Sequence, residues 1–321
     1  MTDMDGIVHT YKARLVVKGY TQLYMVDYEE TFSPVADIRA IRILIAIAAF
    51  YDYEIWQMDV KTAFLNGYLD EDIYMVKPEG EATFILGIKI YRDMSKRLIG
   101  LGQNAYIDKI LKRYKMDNSK RGNIPMQERL DLNKTQGAST PEEVKRMQNV
   151  PYASDVGSIM YAVRCTRPDI TNTKDMFLVY GGNPEAEFRV DCYCDAGFET
   201  DRVDIKSQTV YVFVLNGGAM DWKSSKQSTT AMSATEAEYI AASEAAMEAV
   251  WIRKFISGLK GARHYHRRYH YVCACIELGE INLLKVHTDD NLADPFTKAL
   301  PKGKLTQHAR SIGLRICVFS I

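Results

Sequence analysis

Three groupings of side chains in this sequence have types and spacings that can do chemistry. Asp59 stands near the end of an alternating run at 54–60 with Ile55, Gln57, Met58 and Val60. A carboxylate at the C-terminal edge of a strand is where an oxygen ligand for a hard cation can sit; alone, it reads more simply as the residue that turns the chain. His264, His266, His270, Cys273 and Cys275 bring imidazole and thiol together at short spacing. Those are zinc ligand types, but the spacing fits no zinc finger, so the main expectation is a basic surface helix with incidental thiols. Arg263, Arg267 and Arg268 are interleaved with Tyr265, Tyr269 and Tyr271. Such a patch can pair with phosphates and stack on bases, and it reads equally well as a solvated helix face.

Composition narrows the setting for these groups. The chain has 321 residues, 47% hydrophobic and 26% charged, the profile of a globular protein long enough for about two domains. Lys plus Arg (41) balances Asp plus Glu (41), so any contact with nucleic acid has to rest on local patches rather than a global field. Six cysteines are too few for a disulfide scaffold, and reduced thiols are expected. The first residues have neither a basic start nor an apolar core, and the longest apolar run, 43–50, is far short of the about 20 residues that span a bilayer. The expected location is intracellular, with no membrane partner.

The elements that must position these groups follow from periodicity. Residues 11–19 read as a strand ending at a glycine. Residues 38–50 place Ile38, Ile41, Ile43, Leu44, Ile45 and Ile47 at helical and denser spacing, a largely buried helix. A strand is expected over 54–60, another over 84–93, and a helix over 104–114 with Tyr106, Ile110 and Tyr114 on one stripe. A polar stretch, 118–147, reads as linker, and a short helix is expected over 154–164. Strands over 188–194, 209–215 and 219–223 form an antiparallel set, with Asn216-Gly217-Gly218 as the hairpin turn. A long helix over 234–259 opens with Ser233 and Glu236 at capping-box spacing.

The words YKARLVVKGYTQ (11–22), VDYEETFSPVA (26–36) and QMDVKTAFLNGYLDEDIYMVKPEG (57–80) resemble, in order, the reverse transcriptase of copia-class retrotransposons. The resemblance implies phosphoryl transfer by two divalent ions, Mg2+ or Mn2+, held by carboxylates. Asp59 matches the first metal-binding aspartate, and Lys12 and Arg14 match basic residues that meet the incoming triphosphate. The family's remaining two catalytic aspartates sit in a Tyr-x-Asp-Asp word that this sequence lacks. Residues 79–80 run directly into 81–90, which implies a join near 80/81.

A second resemblance covers residues 152–298 through PYASDVGSIMYAVRCTRPDI, YCDAGF, DWKSSKQSTTAMSATEAEYIAASEA and TDDNLADPFTK. These words are similar to the connector and RNase H domain of the same elements, which cut the RNA strand of an RNA–DNA hybrid with two metals. By that resemblance Asp195, Glu238 and Asp294 are catalytic and metal-binding carboxylates. Glu236 is the near alternative to Glu238, but it fits the cap, so the metal role falls on Glu238. The fourth carboxylate belongs to a Cys-Asp-Asn-like word, absent here, which implies a second deletion near 260/261.

The expectation is therefore an α/β (α+β) chain. A truncated palm and fingers remnant (1–117) precedes a connector (118–187), an incomplete RNase H-like domain (188–300) and a tail (301–321). Its ancestral activities are reverse transcription and hybrid cleavage, its ancestral partner an RNA–DNA hybrid or other nucleic acid, and its ancestral place a cytoplasmic particle or the nucleus. With both carboxylate sets incomplete, a catalytically defective product is expected. The alternative is a non-catalytic nucleic-acid-binding remnant that uses Lys12, Arg14, Arg263, Arg267 and Arg268.

Overall fold

The computed structural model describes residues 37–57, 78–116, 137–148, 150–168, 175–183, 185, 187–201, 204–258, 279, 281–282, 284–297 and 302–316. All of them fall in one compact unit, Asp37–Ile321. The strand expected over 11–19 lies outside the described residues.

Helix α1 (Ile38–Tyr51) starts where the Asp37 carboxylate accepts the Arg39 backbone N–H at 3.0 Å, satisfying one donor that the first helical turn leaves orphaned. It ends at Asp52, whose left-handed backbone (φ 59) carries its N–H back to the Ala48 carbonyl. The helix buries Ile41, Ile43, Ile45, Ala46, Ala48 and Ala49, as its apolar spacing predicts, and Arg42 along with them. The strand expected over 54–60 is absent from its described part, 54–57, and 58–60 lie outside the described residues. Residues 54–57 take no regular structure, and the backbone bond found there is a single one from Ala82 N–H to the Ile55 carbonyl at 2.7 Å. Alternation alone does not make a strand without a ladder partner.

Residues 84–93, expected as one strand, fold instead as a hairpin of β1 (Phe84–Ile85) and β2 (Ile88–Asp93). Leu86 (φ 48) and Gly87 (φ 77) make the turn, and positive φ at both central residues is the hairpin geometry that matches strand twist. β2 continues antiparallel to β3 (Leu98–Gly102), and β3 pairs with β4 (Met176–Gly181), which pairs with β8 (Leu314–Ile316). The sheet order is β1-β2-β3-β4-β8. Helix α2 (Asn104–Arg113) and helix α3 (Pro141–Gln148) bury no residue, and α4 (Tyr152–Cys165) buries Cys165. α2 lies along α4, with the Tyr106 and Tyr161 rings edge to face at 4.9 Å.

The antiparallel set read from the last third of the sequence is present as a three-stranded sheet, β5 (Val190–Asp201), β6 (Lys206–Leu215) and β7 (Gly218–Lys226), in that order. Asn216 (φ 51) and Gly217 (φ 78) form the two-residue turn, and Leu215 pairs with Gly218, so Gly218 begins the strand rather than belonging to the turn. Helix α5 (Ala234–Ser257) lies across β5 and β6, burying Ala237, Ile240, Ala241, Ala245, Ala246, Val250 and Ile252. Its start differs slightly from a capping box. Ser233 Oγ accepts the Glu236 N–H at 3.2 Å, but the Glu236 carboxylate reaches past the cap to the Met232 N–H at 2.7 Å. Helix α6 (Lys302–Ser311) leads into β8.

The two sheets meet at a backbone seam. Tyr180 Oη donates to the Ala219 carbonyl at 2.7 Å, Gly181 N–H to Asn216 at 2.8 Å and Ala219 N–H to Ile312 at 2.9 Å. Gly218 is required there, because a Cβ would lie 2.6 Å from the Val179 carbonyl oxygen. Among the described residues no helix is long and apolar enough to cross a membrane.

Candidate functional site

Of the residues with expected roles, Asp59, Lys12, Arg14, Arg263, Arg267 and Arg268 lie outside the described residues, as do His264, His266, His270, Cys273 and Cys275. Asp195, Glu238 and Asp294 are described, and each is positioned by a different element.

Asp195 sits within β5, paired with Val210 of β6, and is 8% exposed. Asp294 opens a single 3-10 turn, Asp294–Phe296, and is 6% exposed. That turn follows another, Thr288–Asp290, and Asn291 joins them. Asn291 folds the segment on itself by accepting the Ala293 N–H at 3.1 Å, and it docks the segment on the sheet by donating from Nδ2 to the Cys194 carbonyl at 2.9 Å. Thr297 completes the approach. Its hydroxyl lies 2.5 Å from Asp195 Oδ2 and 3.0 Å from the Asp294 carbonyl oxygen. A hydroxyl has one proton to give, and the shorter, charge-assisted contact takes it. The Asp294 carbonyl already accepts the Thr297 backbone N–H at 3.1 Å. Thr297 thus binds the carboxylate of Asp195 but only the main chain of Asp294.

Glu238 lies in the first turns of α5 and is exposed. Burial, then the Glu238 charge and then the Asp195 charge push the Cys194 thiol up to about 11, so both carboxylates act on the middle of β5. Among the described residues, no three His, Cys, Asp or Glu side chains are placed to hold a metal ion together. Two-ion phosphoryl chemistry needs several oxygen ligands per ion, and one Asp195 oxygen is taken by Thr297. Among the described residues, Asp195, Glu238 and Asp294 do not come together as a two-metal cage.

A second polar cluster was not anticipated from the sequence. Arg42 is 2% exposed. It donates from Nε to the Met220 carbonyl at 2.7 Å, and from Nη1 to the carbonyls of Arg164 and Cys165, the latter at 3.1 Å. Its guanidinium carbon lies 3.9 Å from the centre of the Trp222 ring. Asp221, 2% exposed, is 3.7 Å away at Oδ1, and its Oδ2 has no hydrogen-bond partner. Burial, then Glu248, raise the Asp221 carboxyl to about 7 against the opposing pull of Arg42 and Arg39. Burial also lowers the Arg42 guanidinium. Both partners move against their charges, so desolvation outweighs this loose pairing. The signal for Arg42 was present in the sequence as a single charge inside the apolar run 41–49. The signal for Thr297 was a hydroxyl three residues after Asp294.

Comparison with known proteins adds identity. Residues 2–83 match the family described as reverse transcriptase (RNA-dependent DNA polymerase). The chain is 29% identical to the retrovirus-related Pol polyprotein from transposon TNT 1-94 of Nicotiana tabacum, with 97% of this chain and 35% of that protein covered. To the retrovirus-related Pol polyprotein from transposon RE1 of Arabidopsis thaliana it is 24% identical, over 97% of this chain and 31% of that protein. A shorter likeness, 36% over 133 residues, is to secreted RxLR effector protein 161 of Plasmopara viticola, covering 33% of this chain and 94% of that protein. The chain spans about a third of the length of the Pol polyproteins it matches. The tobacco comparison extends over 460 residues, whereas 97% of 321 residues is about 311, so about 149 positions of the matched span have no counterpart here. No solved structure matches the chain significantly. Nearly the whole chain aligns to such polyproteins and its first quarter matches the polymerase family, which together support its recognition as a fragment of a copia-class retrotransposon Pol polyprotein.

Proposed function

We propose that the chain is a reverse transcriptase remnant (1–117) joined through a connector (118–187) to an RNase H-like domain (188–300), with a tail at 301–321. On this reading it keeps a folded scaffold but not two-metal chemistry. The observation that carries the reading is the docking of the 288–297 segment, which holds Asp294, onto β5 at Cys194 and Asp195 through Asn291 and Thr297, with no three acidic, His or Cys side chains placed to hold a metal ion among the described residues. The docking of the two family-matched segments supports a nuclease ancestry, and the short set of ligands supports a deletion near 260/261. The about 149 unmatched positions of the tobacco relative support internal losses. The polymerase match ending at residue 83 supports a join close to 80/81.

The missing aspartate pair of the Tyr-x-Asp-Asp word removes polymerisation on this reading, since Asp59 alone cannot supply the ligands of two octahedral Mg2+ ions. Hybrid cleavage is removed by the same count of ligands at Asp195, Glu238 and Asp294. The test is Mg2+-dependent cleavage of an RNA–DNA hybrid by the full chain, with Asp195→Asn as control. The expected result is no cleavage above that control. Cleavage that Asp195→Asn abolishes overturns the proposal. Retention on the hybrid that weakens steeply with salt, without cleavage, marks the chain instead as a binding remnant.

A further inference from the structure

We propose that Asp195, Thr297 and Asn291 form a hydrogen-bonded clasp that fastens the 288–297 segment to the edge of β5, with the Thr297 hydroxyl occupying the carboxylate oxygen that a divalent ion would need. The inference rests on reading Asp195 as a nuclease-derived carboxylate, and it assigns that side chain a different task in this chain.

The geometry is that of a fastening. β5 is an edge strand among the described residues, paired on one side by β6. Edge strands expose a row of unpaired backbone groups and need covering. Asn291 Nδ2 caps one such group, the Cys194 carbonyl, at 2.9 Å, and Thr297 binds the next residue's side chain, Asp195 Oδ2, at 2.5 Å. Two adjacent strand residues are therefore held by two points of one segment. Between those points the segment is braced by its own bonds, Ala293 N–H to Asn291 Oδ1 at 3.1 Å and Thr297 N–H to the Asp294 carbonyl at 3.1 Å. It is also wedged by apolar burial: Ala293 and Pro295 are buried, and Leu292 and Phe296 pack on the main core. The carboxylate of Asp195 accepts a proton-bearing hydroxyl where a metal-cage carboxylate would present its lone pairs to an ion. A hydroxyl bound there neutralises no charge but satisfies a buried acceptor, which suits a joint rather than a catalyst.

Native-state hydrogen exchange of the 288–297 amides reads the clasp directly, in the full chain, with and without Mn2+. A hydrogen bond to a charged group holds about 1.5–3 kcal/mol, so Thr297→Val is expected to speed local exchange about ten- to hundredfold. Thr297→Ser, which keeps the hydroxyl, restores protection. Asp195→Asn with Thr297→Val together accelerates exchange no more than Thr297→Val alone, because both remove one interaction. Mn2+ leaves the wild-type pattern unchanged. Unaltered exchange in Thr297→Val overturns the clasp. Slowing of exchange by Mn2+ in the wild type but not in Asp195→Asn overturns it in favour of a metal site. Since these readouts need no turnover, the clasp can fail while the loss of activity stands, or the reverse.

Discussion

Replacing Asp221 with Asn should remove a pH dependence opposite to that of most carboxylates, and the structure sets both its sign and its size. The Asp221 carboxyl is raised from 3.8 to about 7 by burial and by Glu248. In the unfolded chain it regains its ordinary value, so between those two values the folded protein holds one more proton than the unfolded one. Stability from this group is fully present below 3.8 and is lost as pH rises through about 7. Across that window each pH unit removes about 1.4 kcal/mol, which gives about 3 kcal/mol lost between about pH 5 and about pH 8. The groups in its field from each packed element are Arg39 and Arg42 on α1, Glu248 on α5, Tyr211 on β6 and Cys192 on β5. Tyr180 of β4 and Cys165 of α4 face Arg42. Asp221→Asn holds a neutral amide in place of the proton-bearing carboxyl. Urea unfolding of wild type and variant across the window, read as a difference, isolates the effect. The subtraction matters because burial lowers His308, and a lowered histidine makes stability rise with pH, against the Asp221 trend. A variant that flattens the fall supports the reasoning, whereas parallel curves for the two proteins refute it.

Other outcomes follow from the same packing. Arg42→Met leaves the Met220, Arg164 and Cys165 carbonyls without their donor, and it should lower urea stability by about 3–5 kcal/mol. Restoring an apolar pair with Arg42→Met and Asp221→Leu together should recover part of that loss, since desolvation rather than pairing dominates the site. Ser233→Ala removes the N-cap of α5 and should cost about 1 kcal/mol, visible as a lower thermal midpoint in circular dichroism. Gly218→Ala drives a methyl to 2.6 Å from the Val179 carbonyl, and a loss of about 1–3 kcal/mol by chemical denaturation is expected.

Much of the architecture was legible where one periodicity dominated. α1, α2, α4 and α5 appear near their expected positions, and in α1 and α5 the apolar residues at helical spacing mark the face that is buried. The β5-β6-β7 sheet appears because Asn216 and Gly217 favour a turn that only a hairpin uses. β4 was not anticipated: its run Met176–Gly181 is apolar on both faces, so it shows no alternation to count. The 84–93 hairpin was hidden because Leu86 occupies a left-handed turn position that leucine rarely adopts. The carboxylates Asp195 and Asp294 were named through resemblance, but Thr297 and Asn291 were not, because a tertiary hydrogen bond leaves no period in the chain. Arg42 was visible as an anomaly in an apolar helix, but its partners lie at sequence distances of 122 to 178 residues.

The central claim is that the acidic ligands remaining in this polypeptide cannot assemble a two-ion centre. Electron paramagnetic resonance of Mn2+ titrated into the purified chain counts bound ions directly. The account predicts that the signal of free Mn2+ rises from the first addition and is the same in Asp195→Asn. Two Mn2+ ions held per chain, and released by Asp195→Asn, would contradict it.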